Sequence, residues 1–191
     1  MRLFEVAGVP FTLVLPANYT DKVVHSLSES GLSIAWKSAL MQLTLKQCKV
    51  QKLPCDDYQI YATDKRLEDW AAPLVSAFET DNRVMLQYQL RHQHAVDGGR
   101  QLRHFSLFVA GQAVCSLTLS LHNGIARLDD VGTRATLQGR GYASALINHA
   151  LEYARLRNVE TCFLEASDDG LSLYKRFGFI ELGTNIAFQR E

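Results

Sequence analysis

The sequence predicts an α/β protein built on a mixed, mostly antiparallel twisted sheet with helices on both faces. Three observations carry that expectation. Residues 104–133 read as three strands joined by tight turns. The stretch Gln138-Gly139-Arg140-Gly141-Tyr142-Ala143 lies between an apolar strand and a long amphipathic helix. A strand, a short helix and a glycine stop follow one another near both ends of the chain.

Composition sets the bounds. At 191 residues the chain can bury one full core, or one core with a small appended unit. Hydrophobic residues make up 47% and charged residues 21%, an ordinary globular balance. Basic and acidic residues number 20 each, so neither a nucleic-acid surface nor an acidic tail is expected. The four cysteines, Cys48, Cys55, Cys115 and Cys162, lack metal-ligand spacing. Cys115 and Cys162 fall in apolar strand-like runs, where cysteine packs as a small hydrophobe, and the set reads as reduced thiols. No apolar run reaches the roughly 20 residues of a membrane span. Met1-Arg2-Leu3-Phe4-Glu5 opens no signal peptide, so the expected location is the cytoplasm, with no membrane partner.

The elements follow in order. Residues 58–62 read as a strand, with Thr63 or Asp64 capping the next helix. That helix places Leu67, Trp70, Ala71, Leu74, Val75 and Phe78 on one buried stripe, and Pro73 inside it predicts a kink or break. A second helix, capped near Thr80 or Asp81, carries Val84, Met85 and Tyr88 on one face and dissolves at Asp97-Gly98-Gly99. His92 and His94, with His104 nearby in sequence, lack a third ligand at metal spacing and read as solvated loop. No metal is expected. Trp36 and Trp70 read as core or interface residues.

Phe105, Leu107 and Val109 form the apolar side of the next strand, and Cys115, Leu117, Leu119 and Leu121 that of the one after Gly111-Gln112. Asn123-Gly124 predicts a type I′ hairpin, which needs positive φ at both central positions. Residues 125–133 form the third strand and run into the glycine loop. The helix over 141–157 turns Ala143, Leu146, Ile147, Ala150 and Ala154 inward and stops at Asn158. An apolar strand over 161–166 leads to Ser167, which caps a short helix ended by Gly178, and a hairpin is expected over 179–189.

Residues 1–55 read as a degenerate copy of this last unit, packed beside the main domain of residues 56–191. Residues 11–15 form a strand, Pro16-Ala17-Asn18 resembles Glu165-Ala166-Ser167, and Ser30-Gly31-Leu32 matches Phe177-Gly178-Phe179, with a strand pair after each. The copy lacks a glycine loop.

The loop itself suits a pyrophosphate. Unpaired N–H groups at a helix N-terminus bind anions without a basic side chain, and glycines let phosphates approach the backbone. A Rossmann unit is a poor fit, because three antiparallel strands come first and no ribose-binding acid follows at the expected distance.

Gln138, Gly141 and Ala143 fit the pyrophosphate motif Arg/Gln-x-x-Gly-x-Gly/Ala, and residues 164–167 with 173–179 fit a second signature about 30 residues on, as judged by element order. With these motifs, residues 58–191 resemble the GNAT superfamily of acyl-CoA-dependent N-acetyltransferases, and residues 1–55 resemble the degenerate half of its two-part members. The resemblance implies transfer of acetyl from acetyl-CoA to a primary amine of a small molecule, by direct attack in a ternary complex. It implies that main-chain groups of Val131, Gly132 and Thr133 pair with the pantetheine arm. It further implies that Gln138, Gly139, Arg140, Gly141, Tyr142, Ala143 and Ser144 hold the pyrophosphate, that Ser167 also binds the cofactor, and that Tyr174 protonates the departing thiolate. A phenol with a reference pKa near 10 can donate to a thiolate whose acid has one of about 8.5.

The base is open. Asp129 and Asp130 adjoin the cofactor strand, and alternation would let only one face the cleft, Asp130 being favoured. Glu165 and solvent are alternatives. Ser167 and Gly170 depart from the asparagine and alanine common in the family, and Gln138 in place of arginine shifts the load to backbone donors. Protein lysine or N-terminal acetylation and a non-catalytic acyl-CoA-binding module are the competing functions. Homodimer formation is left open.

Overall fold

A computed structural model describes residues 11–18, 21–52 and 57–190; Cys55 lies outside these. The elements are β1 (Leu13–Pro16), α1 (Asp21–Glu29), β2 (Leu32–Thr44), β3 (Gln59–Ala62), α2 (Leu67–Ala77), α3 (Asn82–Asp97), β4 (Leu102–Val109), β5 (Gln112–His122), β6 (Ile125–Thr133), α4 (Tyr142–Arg155), β7 (Thr161–Ala166), α5 (Asp168–Phe177) and β8 (Ile180–Arg190). The strands form one sheet in the order β1-β8-β2-β7-β6-β5-β4-β3. Every pairing is antiparallel except β6 with β7. The fold is thus the mixed, mostly antiparallel α/β sheet that the patterning predicts.

Local chemistry explains most boundaries. Asn123 and Gly124 both have positive φ, 47° and 75°, as the β5–β6 hairpin requires. Asn158 follows α4 at φ 59°, and Gly178 ends α5 at 97°, where a glycine avoids the Cβ clash of the left-handed region. Asp81 caps α3 by accepting from the Val84 amide, and Ser167 caps α5 by accepting from that of Gly170.

Several expectations are corrected. No hairpin spans 179–189: β8 is one strand, and Gly183 sits beside a register shift opposite Leu40 and Met41. β2 is likewise one strand of 13 residues, because it contains no turn residue and bulges absorb its irregularities. It enters the sheet between β7 and β8 instead of packing beside it. Helix α2 runs continuously through Pro73. Its N-cap is Arg66, because the Asp64 carboxylate is occupied by the backbone and ring of His104. Phe78 and Val84, expected on buried helix faces, are about half exposed, whereas Trp70 is fully buried.

Strands β4 and β5 are buried on both faces. On one, Leu146, Ile147 and Ala150 of α4 and Phe177 of α5 pack on Met41, Leu107, Leu117 and Leu128. On the other, α2 contributes Leu67, Trp70, Ala71 and Leu74, joined by Met85 of α3. The strand positions alternating with the apolar ones are therefore buried as well: His104, Ser106 and Ser116 have no exposure. Ser106 Oγ lies 3.1 Å from Thr63 Oγ1 and 3.0 Å from Ser116 Oγ, and the His104 ring bonds to Asp64 and His92. Cys115 and Cys162 are buried, as their apolar settings predict. No helix among the described residues is long and apolar enough to cross a membrane.

Candidate active site

Strands β6 and β7 pair only from Ile125/Thr161 to Leu128/Leu164. Beyond that point they part. Residues 129–133 keep β5 on one side, and Glu165 and Ala166 turn to β2. The gap opens into a cleft of about 650 Å³ between the N-termini of α4 and α5. Residues 130–133 and 138–144, Ser167 and Tyr174 all line it, with Asp129, Glu165 and Phe78.

The glycine loop forms one end. Gly139 and Gly141 take φ of 77° and 87°, conformations open to glycine at little cost. The first ladder bond of α4 runs from the Ala145 amide to the Gly141 carbonyl, so amides earlier in the turn are not consumed by the helix. Gln138 braces the loop, its Nε2 donating to the Thr133 carbonyl at 3.4 Å. Arg140 and Arg176 also line the cleft. These groups fit a pyrophosphate: backbone donors at a helix start, left-handed glycines and nearby guanidinium groups.

Tyr174 projects from α5 and is 7% exposed. Burial, with Cys115 and Asp129 nearby, pushes its phenol well above the ordinary tyrosine range and keeps it protonated. A Cβ on Gly170 would lie 3.2 Å from the Tyr174 ring, so glycine there gives the ring room.

A β-bulge changes the carboxylate geometry. Ser116 faces Gly132 and Thr118 faces Asp129, leaving two residues of β6 opposite Leu117. Asp130 lies in this bulge at φ 56°, a strained value for a residue with a side chain. Alternation is broken, so Asp129 and Asp130 both line the cleft, contrary to the expectation that only one would.

Their partners separate them. Arg127 Nε donates to both oxygens of Asp129, at 2.8 and 3.1 Å, and Arg127 Nη2 lies 3.4 Å from Glu165. Burial raises the Asp129 carboxyl, against the pull of Arg127. Burial would raise Glu165 too, but hydrogen bonds from Ser38 and Asn185 and the Arg127 charge hold it low. Asp130 has no arginine or lysine partner among the described residues. It accepts from the Tyr88 hydroxyl at 2.8 Å, and His92 Nε2 lies 3.8 Å from its other oxygen.

His92 is therefore no solvated loop residue. It lies within α3 against Trp70, ring centroids 4.5 Å apart, because α3 folds across α2 onto the sheet. The signal was available in the sequence: Met85, Tyr88 and His92 stand at i, i+3 and i+7, one face of a helix.

A model of the acetyltransferase (GNAT) family matches residues 50–179. The fold resembles a GCN5-related N-acetyltransferase from Kribbella flavida, with TM-score 0.72, 17% identity, and coverage of 99% of this chain and 71% of that one. It resembles a tandem GNAT protein from the clavulanic acid biosynthesis pathway at TM-score 0.68 and 15% identity, over 100% of this chain and 66% of that one. A paiA N-acetyltransferase from Thermoplasma acidophilum, in complex with coenzyme A, aligns at TM-score 0.54 and 11% identity, over 71% of this chain and 99% of that one. No curated protein sequence matches this chain. The structural likenesses speak to fold alone. Because the family match spans more than half of the sequence, the chain belongs to the GNAT acetyltransferase family.

Proposed function

We propose that the protein acetylates a primary amine of a small molecule, using acetyl-CoA and direct attack in a ternary complex. One observation carries this reading: a single cleft joins an amide-rich glycine loop, a free strand edge, a protonated phenol and a carboxylate without a cationic partner. The bound donor supplies a thioester carbonyl as the electrophile. The loop over 138–144 holds the pyrophosphate, and main-chain groups of Val131, Gly132 and Thr133 hold the pantetheine arm as an added strand would. Tyr174 donates its hydroxyl proton to the leaving sulfur. Asp130 accepts a proton from the acceptor nitrogen, directly or through one water. Asp129 and Glu165, tied to Arg127, shape the same cleft.

Direct attack is favoured over an acetyl-cysteine route. Burial pushes the thiols of Cys115 and Cys162 up to about 12, which leaves almost no thiolate at neutral pH. Such buried free thiols also suit the reducing cytoplasm.

We also read residues 1–55 as a partial copy of the C-terminal unit. β1–α1–β2 and β7–α5–β8 share their order, with Gly31 and Gly178 at positive φ after each helix. β1 pairs with β8, β7 with β2, and β2 with β8, so each unit places its first strand against the other's second.

Calorimetric titration with acetyl-CoA, followed by thiol release across small amines, amino acids, polyamines and peptides, tests the reading. Saturable binding and turnover on small amines are expected. Turnover on peptides alone would move the assignment to protein acetylation, and binding without any turnover would leave an acyl-CoA-binding module. Absence of acetyl-CoA binding overturns the proposal.

A further inference from the structure

We infer that His92 holds the proton that Asp130 removes from the acceptor amine, and that Asp64 orients His92 for this through His104. The inference rests on the acetyl-transfer reading above. Its material is a buried chain of polar groups running from the cleft beneath α2 and α3. Tyr88 Oη donates to Asp130 Oδ1 at 2.8 Å. Asp130 Oδ2 is buried and has no hydrogen-bond partner, and His92 Nε2 lies 3.8 Å from it. His92 Nδ1 is 2.8 Å from His104 Nε2, and His104 Nδ1 is 3.1 Å from Asp64 Oδ1. Arg103 Nη1 donates to Asp64 Oδ2 at 3.0 Å. Trp70 walls the chain, its ring within 5.0 Å of His104 and 4.5 Å of His92, centroid to centroid.

The tautomers follow from the end of the chain. Burial would raise the Asp64 carboxyl, but hydrogen bonds from the ring and backbone of His104 and from Arg103 outweigh it and keep it ionised. A carboxylate only accepts, so His104 carries its hydrogen on Nδ1 and offers a lone pair at Nε2. His92 must then donate from Nδ1, which leaves the Nε2 lone pair toward Asp130 Oδ2. Two acceptors face each other in a buried site with no hydrogen between them, a costly arrangement. One added proton satisfies both.

Acetyl transfer produces that proton. The acceptor arrives as an ammonium ion; one N–H bond breaks, and its electron pair stays on nitrogen as the nucleophile. The proton passes by the Asp130 carboxylate to His92 Nε2, where a new N–H bond forms and donates back to Asp130 Oδ2. The positive charge moves from the amine to the imidazole, no oxidation state changes, and the second nitrogen proton, lost as the tetrahedral intermediate collapses, replaces the one that Tyr174 gives to sulfur. After product leaves, the proton returns to water through the cleft that Asp130 lines. The groups that face His92 are Tyr88, with Arg91 nearby, from its own helix, His104 from β4, and Asp130, with Asp129 beyond it, from β6. Burial lowers the His92 imidazole, Asp130 opposes this and His104 adds to it, so the ring is neutral and able to accept. His92 and His104 do not line the cleft, so they are positioning residues that act through Asp130.

Nitrogen NMR of protein labelled with 15N-histidine reads the tautomers without any acceptor. The expected result is protonation at Nδ1 and not at Nε2 on both His92 and His104, with Asp64→Asn disturbing both rings. In the thiol-release assay, His92→Gln should lower kcat/KM for the amine by roughly 10²-fold or more near neutral pH. Acetyl-CoA affinity should be kept, and the defect should shrink at alkaline pH, where the amine arrives already deprotonated. If His92→Gln also loses acetyl-CoA affinity, Asp64→Asn, which preserves side-chain size, carries the same test. A loss equal at every pH, or a His92 hydrogen on Nε2 in the neutral protein, overturns the inference and leaves the acetyl-transfer reading standing. Absence of amine turnover in the wild type, with the expected tautomers present, overturns that reading and removes the source of the proton.

Discussion

Leu74 Cδ2 lies 2.7 Å from where a Cβ on Gly132 would stand, and Ala77 Cβ lies 2.9 Å from it. Helix α2 can pack this closely on β6 only because residue 132 has no side chain. The same residue lies on the strand edge that lines the cleft. Gly132→Ala is therefore expected to destabilise the fold by about 1–3 kcal/mol through overpacking. It should also weaken acetyl-CoA binding by displacing the edge. Thermal unfolding and calorimetry check both effects, with Gly183→Ala as a control, since a Cβ there meets nothing within 4 Å. An unchanged melting temperature would contradict the packing argument.

Tyr174→Phe removes a hydroxyl and keeps the ring that fills the space beside Phe179. No hydrogen bond from that hydroxyl to another described residue would be lost, so stability should change little. Turnover should fall by roughly 10²–10⁴-fold if the phenol supplies the proton. Steady-state kinetics should show the loss in kcat, with KM for acetyl-CoA unaltered. Full activity in the variant would remove Tyr174 from the mechanism.

Gly141 stands at φ 87° as the residue before α4. Alanine in the left-handed region costs on the order of 1–2 kcal/mol. Gly141→Ala should lower the melting temperature, and it should weaken acetyl-CoA binding by tilting the amides of the turn. Equal affinity in the variant would show that these amides do not carry the pyrophosphate.

Acid should destabilise the protein in two stages. Burial holds His92 and His149 below the ordinary imidazole value of 6.5, so the unfolded chain binds more protons as pH falls past it. Stability present above that value declines toward their folded values. Asp64, held below the ordinary aspartate value of 3.8 by its hydrogen bonds to His104 and Arg103, contributes stability that is lost as pH falls through its own folded value. Urea titrations from pH 8 to about 2 should show both stages, with the upper limb flattened in His92→Gln, though not abolished while His149 remains. A pH-independent wild type would refute the assignment.

Much of the fold was legible because it depends on neighbours in sequence. Asn123-Gly124 specifies its hairpin by its own φ preferences, Asp81 and Ser167 find cap partners three residues on, and the loop over 138–144 owes its amides to the helix after it. The polar cluster was not legible in this way. His104 and Ser106 alternate with apolar residues as solvent-facing strand positions would, yet α2 covers them completely. Asp64 suits a helix cap until a ring 40 residues away takes its carboxylate.

By itself the sequence determined the order of elements between residues 58 and 178, the glycine loop and the place of Tyr174 on the helix before Gly178, all of which follow from local backbone chemistry and periodicity. Tertiary structure alone decided that β2 lies between β7 and β8, that a bulge turns both Asp129 and Asp130 into one cleft, and that His92 backs Asp130. Those outcomes depend on strand register and on which helix covers which face, and both are settled by packing between segments far apart in the chain.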